Sequence, residues 1–334
     1  MDFDRLLPDN FSGVVSVMNH GEIVFRKAFG YADLANRIRN DVDTKFATAS
    51  AGKVFVAVAI LQLIEKGMLH FDDRLGDVLD FDLKKIDGNI TTRQLLNHTS
   101  GIPDYFDETV MKDYDGLWKD YPNYKIRSSM DLLPLFIDKP MMYPAGERFQ
   151  YNNSGYVVLG LIIEKITGLY FDEYLRSYIF EPCNMASTGY YELDRLPAKC
   201  ADSYIFDKYS KVYYKNIYSV DVKGTGAGGA FTTLPDIDKF WTALLNGKLI
   251  SNNMIRFMLS PHAFDGKHYY GYGIWLEKTE ADIYLPYFEG CDPGVSFLSF
   301  FNTQKEYSIS AVSNFGHNVW EICRNIKMES TGKN

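Results

Sequence analysis

The sequence predicts an α+β fold, an α/β sandwich in which an antiparallel sheet is flanked by helices and carries an inserted, mainly helical domain. Two observations lead there. Strand-like runs sit at the two ends of the chain, in "FSGVVSVMNHGEIVFRKAFGYAD" near the start and in "YYGYGIWLEK", "GVSFLSFFNT" and "YSISAVSNF" near the end. Between them lie two strongly apolar stretches of helical length, "SAGKVFVAVAILQLIEKG" and "YNNSGYVVLGLIIEKITG". Terminal strands that meet in one sheet assign residues 1–68 and 225–334 to a sheet domain and 69–224 to a helical one. A site then falls in the cleft between the two.

Taken in order, the first run reads as a hairpin. Val14, Ser16 and Met18 alternate with Val15 and Val17, "NHGE" is the turn, and Ile23, Phe25 and Ala28 line the return strand. A helix follows from about Ser50 to Gly67. Its residues 54–61 are apolar on every side, which marks a central helix, and Gly67 is placed to end it. Residues 90–100 start another helix, capped by Thr91 or Thr92, with Leu95 and Leu96 inward. Residues 104–145, rich in Tyr, Asp and Pro, read as short helices and loops. The second apolar helix ends at Gly168, and "DEYLRSYIFEPCNM" is a third. Residues 190–223 have weak periodicity and read as a long surface excursion. A Gly-rich turn, "GTGAGGA", then leads to a helix from Leu234, capped by Thr233 with Pro235 in its first turn. The tail "MESTGKN" reads as frayed.

Composition excludes several classes. With 334 residues, 46% hydrophobic and 23% charged, the chain can bury a sizeable core. A net charge of −8 without a basic run argues against a nucleic-acid partner. No apolar stretch reaches the ~20 residues of a membrane helix. The start, "MDFDRLLPDNFSG", is not a signal peptide. The reading is a cytoplasmic protein, the alternative a secreted or cell-envelope one whose leader has been trimmed. Cys183, Cys200, Cys291 and Cys323 are widely spaced, and the histidines form no ligand pattern, so neither a disulfide framework nor a metal site is expected.

The chemistry centres on Ser50 and Lys53. Three residues apart at the start of a helix, they share a face. The helix N-terminus and burial both disfavour an ammonium, so Lys53 is pushed toward a neutral base that could take the serine proton. The pair alone is weak: Ser330–Lys333 has the same spacing, and Ser50 could equally cap the helix. What adds weight is a lysine set beside eight apolar residues. Tyr151-Asn152-Asn153 precedes the second apolar helix. A tyrosine near a cationic lysine can have a lowered pKa and shuttle protons, and an asparagine can both donate to a carbonyl and accept from the lysine. Tyr121–Asn123 and Tyr214–Asn216 repeat the spacing, but neither leads into a buried helix.

The segments "ATASAGKVFVAVAILQLIEKGML", "LLNHTSGIPDY", "YPAGERFQYNNSGYVVLGLIIEKITG" and "GAGGAFTTLPDIDKFWTALLNGKLIS" together resemble the beta-lactamase-related serine hydrolases. These include class C beta-lactamases, penicillin-binding proteins, D-alanyl-D-alanine carboxypeptidases and family VIII esterases. The resemblance runs from about Phe11 to Phe315 and implies a beta-lactamase/transpeptidase-like fold. It implies that Ser50 is the acylated nucleophile and that Lys53 and Tyr151 share the proton transfers, the acylating base being disputed among relatives. It also implies that Asn153 binds substrate and that the backbone N–H groups of Ser50 and Cys291 hold the oxyanion. No cofactor or metal is implied, only a small-molecule or peptide substrate, and the oligomeric state is not legible.

The third motif departs from the family pattern of a basic residue, a hydroxyl and glycine. "PYFEGCDPGVSF" puts Phe288, Glu289 and Gly290 there, followed by Cys291. An anionic Glu289 facing substrate would repel a carboxylate and favour a neutral ester, or an amide or peptide bearing an amine. Alternatively the strand is shifted or Glu289 points to solvent. Cys291 reads as a small residue rather than a nucleophile, and His98 as a structural hydrogen-bonder. The expected activity is therefore a serine hydrolase, esterase- or peptidase-like. The rival is a penicillin-binding or ligand-sensing protein with little or no turnover, which Phe288 filling the cleft over Ser50 would favour.

Overall fold

The computed structural model describes residues 3–111 and 114–331. Its framework is an eight-stranded antiparallel sheet. Gly13–Asn19 pairs on one side with Glu22–Phe29 and on the other with Tyr307–Ser313, so the first and last strands of the chain are neighbours. The sheet continues through Val295–Asn302, Tyr284–Asp292, Trp275–Lys278, Tyr269–Tyr270 and Ala263–Phe264. His20 and Gly21, with φ of 49° and 79°, form the two-residue turn of the first hairpin. The return strand is the edge of the sheet, and Ile23 and Val24 are exposed there rather than lining the core. The run "YYGYGIWLEK" is two strands, folded back so that Tyr270 faces Trp275.

Alternation along the buried strands feeds two cores. Val14, Phe288, Phe297 and Val312 belong to the larger, and Val15, Val17, Leu298 and Ile309 to the smaller. The smaller is closed by a helix, Val319–Thr331, through Val319, Ile322, Cys323 and Ile326. These follow the i, i+3, i+4, i+7 pattern of an amphipathic helix. The tail is thus helical through residue 331 and not frayed; residues 332–334, including Lys333 of the second Ser-x-x-Lys, lie outside the described residues.

The larger core holds the other helices. Lys53–Glu65 is buried continuously from Lys53 to Leu63, and Gly67 just beyond it takes φ 68°. Phe55 meets Phe180 and Phe240 edge-on at 5.1 and 4.9 Å, tying this helix to its neighbours. Leu234–Leu245 lies on the sheet, where Trp241 Nε1 donates to Ser299 Oγ at 2.8 Å. Asn153–Thr167 packs against the central helix and ends at left-handed Gly168. The third helix runs Phe171–Leu175 and widens into a π turn over Arg176–Phe180. Thr92–Leu96 starts at Thr91, whose N–H Gln94 Oε1 accepts at 2.9 Å.

Residues 190–223 are more than a surface excursion. They contain a hairpin, Tyr204–Asp207 with Val212–Lys215, and bury Tyr190, Ala201, Tyr204, Val220 and Val222. Among the described residues, no single helix is long and apolar enough to cross a membrane.

Thr233 Oγ1 accepts from the Asp236 N–H at 3.2 Å and caps the helix on the sheet. Thr233→Ala is expected to lower the unfolding free energy by about 1 kcal/mol in urea titrations, and Thr233→Ser to restore most of it.

Candidate active site

Ser50 lies in a tight turn, Ala49–Gly52, just before the central helix starts at Lys53. Its side chain does not cap that helix. Ala49 is held at φ 48°, an uncommon region for a residue with a Cβ. The surrounding backbone enforces this: Ala49 O accepts from the Gly229 N–H at 3.0 Å, and Thr48 N donates to Ala230 O at 2.8 Å. Two glycines let other segments press against the turn. A Cβ on Gly228 would lie 2.4 Å from Ala49 O, and one on Gly290 would lie 2.2 Å from Thr48 O and 2.7 Å from Ser50 N.

Lys53 is only 2% exposed. Its Nζ donates to Ser50 Oγ at 2.9 Å, to Asn153 Oδ1 at 2.8 Å and to the Ala227 carbonyl. Asn153 Oδ1 and the carbonyl can only accept, so they always claim two N–H bonds. If the amine loses a proton, the lone pair is left facing Ser50 Oγ. Burial favours that loss: it lowers the Lys53 pKa to about 8, against the pull of Glu108, Asp104, Asp292 and Asp221.

Asn153 opens the second helix. Asn152 Oδ1 caps the Gly155 N–H at 2.8 Å, while the Asp104 carboxylate accepts from the N–H groups of Asn153 and Ser154 at 2.9 and 3.1 Å. Burial raises the Asp104 pKa to about 6, with those N–H bonds opposing. Tyr151 lies between Trp275, stacked at 6.0 Å, and the His98 ring at 4.5 Å, with Lys53 Nζ 5.0 Å from its centroid. The expected lowering of its pKa does not occur. Desolvation and nearby Glu108 raise it well above 10, and a side-chain hydrogen bond with Ser50 only partly offsets this. Tyr151 is a neutral hydroxyl because its site is desolvated and the charge nearest it in effect, Glu108, is negative. His98, buried at φ 59°, accepts the Asn152 N–H on Nδ1 at 3.1 Å and so braces this segment.

The third-motif strand pairs with Trp275–Lys278 only through Tyr284–Tyr287. From Phe288 onward its one strand neighbour is Val295–Asn302, and this local edge runs beside Ser50. A cavity of about 580 Å³ opens there, lined by Ser50, Asn153, Ala227 and Cys291. Phe288 and Glu289 are not part of its lining. Phe288 faces the core, 5.1 Å from Trp241 and 5.9 Å from Phe297. Glu289, on the opposite face, accepts from Trp320 Nε1 of the terminal helix. The direct placement of both against substrate is therefore corrected: strand alternation turns one into each core. The Cys291 thiol is exposed on the cavity wall; partial desolvation, with Asp292, Glu108 and Glu289 nearby, still raises it to about 11, which keeps it protonated.

Sequence reasoning missed four contributors: the Ala227 carbonyl, Asp104, and the carboxylates Asp221 and Asp292 on the cavity wall. "GTGAGGA" carried a signal for the first, since clustered glycines mark close backbone approach.

With this geometry in place, the comparisons with known proteins agree. The chain matches the family described as Beta-lactamase over residues 7–321 and belongs to it. It is 27% identical over 305 residues to Penicillin-binding protein 4* of Bacillus subtilis, covering 86% of this chain and 64% of that one. It is 29% identical to the putative penicillin-binding protein PbpX of the same organism, covering 92% and 72%. The chain thus spans less than two thirds of the first of these relatives. Among solved structures, a penicillin-binding protein from Bacillus halodurans superposes with a TM-score of 0.93 at 38% identity, covering 98% of this chain and 99% of that one. A D-amino acid amidase from Ochrobactrum anthropi shares the fold, with a TM-score of 0.78 at 21% identity, each chain covered to 99%.

Gly290→Ala is expected to displace the turn at Ser50 and lower ester turnover by about 100-fold. A rate within a few-fold of wild type would show that the turn tolerates the added Cβ.

Proposed function

We propose that the protein is a serine hydrolase that acts through an acyl-enzyme on esters, amides or peptides. The observation that carries this reading is the set of oxygens around Lys53. Two permanent acceptors leave its lone pair only Ser50 to face. As Ser50 Oγ attacks a carbonyl carbon, its proton passes to Lys53 Nζ and the C–Oγ bond forms. The oxyanion is held by the backbone N–H groups of Ser50 and Cys291, an arrangement supported by the close approach of Gly290 to Ser50 N. The neutral Tyr151 hydroxyl relays a proton to the leaving group, which departs. Water then attacks the acyl carbonyl by the reverse path and releases the acid. Asn153 fixes Lys53 through Oδ1, while its amide nitrogen donates at 3.3 Å to Phe106 O.

The rival reading, a binding protein with little or no turnover, would be favoured by Phe288 over Ser50, but Phe288 packs in the core. An open cavity and a Ser50–Lys53 contact of 2.9 Å favour the enzyme. The cavity draws its walls from residues 47–50 and 291–295 and from 105–222, which supports dividing the chain into 1–68 with 225–334 and 69–224.

Hydrolysis of a short-chain nitrophenyl ester tests the reading. Ser50→Ala is expected to abolish turnover, and Lys53→Arg, which keeps a charge but offers no lone pair, to lower it by at least about 1,000-fold. Equal rates in wild type and Ser50→Ala would overturn it.

The base must be neutral to accept a proton. For the same uncharged ester, kcat/KM should therefore rise by about tenfold per pH unit at low pH and level off above about 8, where Lys53 has deprotonated. A flat profile between pH 6 and 9 would exclude Lys53 as the base.

A further inference from the structure

The charge of the cavity beside Ser50 is one-sided. Glu108, Asp115, Asp202, Asp221 and Asp292 line it, and among the described lining residues there is no Lys, Arg or His. Lys53, the cation nearest the nucleophile, has all three donors committed to oxygens of the protein, so it offers nothing to a bound anion. Asp202 is answered by Lys215 at 2.7 Å, and Asp221 accepts from Tyr114 Oη at 3.1 Å. The Asp292 carboxylate accepts no hydrogen bond from any described residue, and one oxygen of Asp115 is fully buried without a partner. Burial, with repulsion from Asp221 behind it, pushes Asp292 up to about 8. Lys53 attracts both acids but is hydrogen-bonded to other oxygens, so the chamber that a substrate must enter to reach Ser50 keeps an excess of acidic groups on its wall.

We propose that Asp292 and Asp221 form an ammonium subsite, and that the preferred substrates are esters, amides or peptides carrying a free primary amine near the scissile carbonyl. This rests on the serine-hydrolase reading and narrows it. An ammonium brings three N–H donors and no acceptor, the complement of acceptor-only carboxylates. Binding it draws off the proton that Asp292 otherwise holds up to about pH 8 and offsets the repulsion between the two acids. The same walls disfavour substrates that carry a carboxylate there. The charge selection first assigned to Glu289 thus moves three residues along the strand, to Asp292. Glu289 is occupied by Trp320 on the other face of the sheet.

The test compares three nitrophenyl esters: alanine, N-acetylalanine, and a monoester of succinic acid. For the wild type, kcat/KM should rank amine above acetyl by about tenfold or more, with the succinyl ester lowest. In Asp292→Asn and in Asp221→Asn, the amine-to-acetyl ratio should fall toward one. The ratio is read within each variant, so a general loss of activity leaves it interpretable. A wild-type ratio near one, or a ratio unchanged in both variants, would overturn the proposal. Should no ester be turned over at all, the hydrolase reading fails separately. Calorimetric titration of Ser50→Ala with alaninamide and N-acetylalaninamide still decides the subsite: binding of the free amine alone supports it, and equal binding, or none by either, overturns it.

Discussion

A single buried amine organises the structure. Lys53 is taken out of water at the head of a helix that is apolar on every side, and the desolvation must be answered by oxygens from elsewhere. They come from three places in the chain: the turn at residue 50, the head of the second helix at 153 and the Gly-rich segment at 227. Each requires its own support. The turn needs the left-handed Ala49, and the second helix needs Asn152 and Asp104 at its N-terminus. The segment at 227 needs Gly226, where a Cβ would lie 2.1 Å from Tyr156 O. On the proposed function, reactivity at Ser50 follows from how a lysine is kept dry.

Most of the framework was legible because it depends on local signals. The two-residue turn at His20–Gly21, the cap at Thr233 and the glycines at 67 and 168 all act within a few residues of themselves. Ser50, Lys53 and Asn153 were legible as a set only through several segments in order, since each short spacing recurs elsewhere in the chain. What stayed hidden depends on which way a strand faces or what lies across a cavity. Phe288 and Glu289 could be aligned, but a one-residue alternation decides that the first enters the core and the second meets Trp320. The acids at 221 and 292 are 71 residues apart in sequence, by subtraction of their positions, and nothing local announces that they share a wall. The terminal helix was missed although Val319, Ile322, Cys323 and Ile326 carry its period, because a polar end outweighed an apolar face.

Membership in the Beta-lactamase family accounts for what is conventional in the site, and the third-motif strand accounts for what is particular. Its glycine, with no side chain, lets the strand edge touch the Ser50 turn. The residues on either side of that glycine point away from the contact. Here they supply an aromatic to one core, a carboxylate to an indole on the other, and an acid to the cavity wall. A change of substrate can thus be written on one edge of the sheet while the proton-transfer groups stay in place.

The pairing of the first strand with the last has a consequence for how the molecule comes into being. Ser12 Oγ donates to Asn314 Oδ1 at 2.8 Å across 302 residues of sequence. A chain leaving the ribosome presents Gly13–Asn19 and the apolar helix at 54–61 long before Tyr307–Ser313, the strand that completes their shelter. Closing so long a loop is entropically slow, and the half-made sheet meanwhile exposes Val15 and Val17 on an unpaired edge. Such a nascent chain is a natural client for a chaperone that shields an early hairpin until its distant partner arrives.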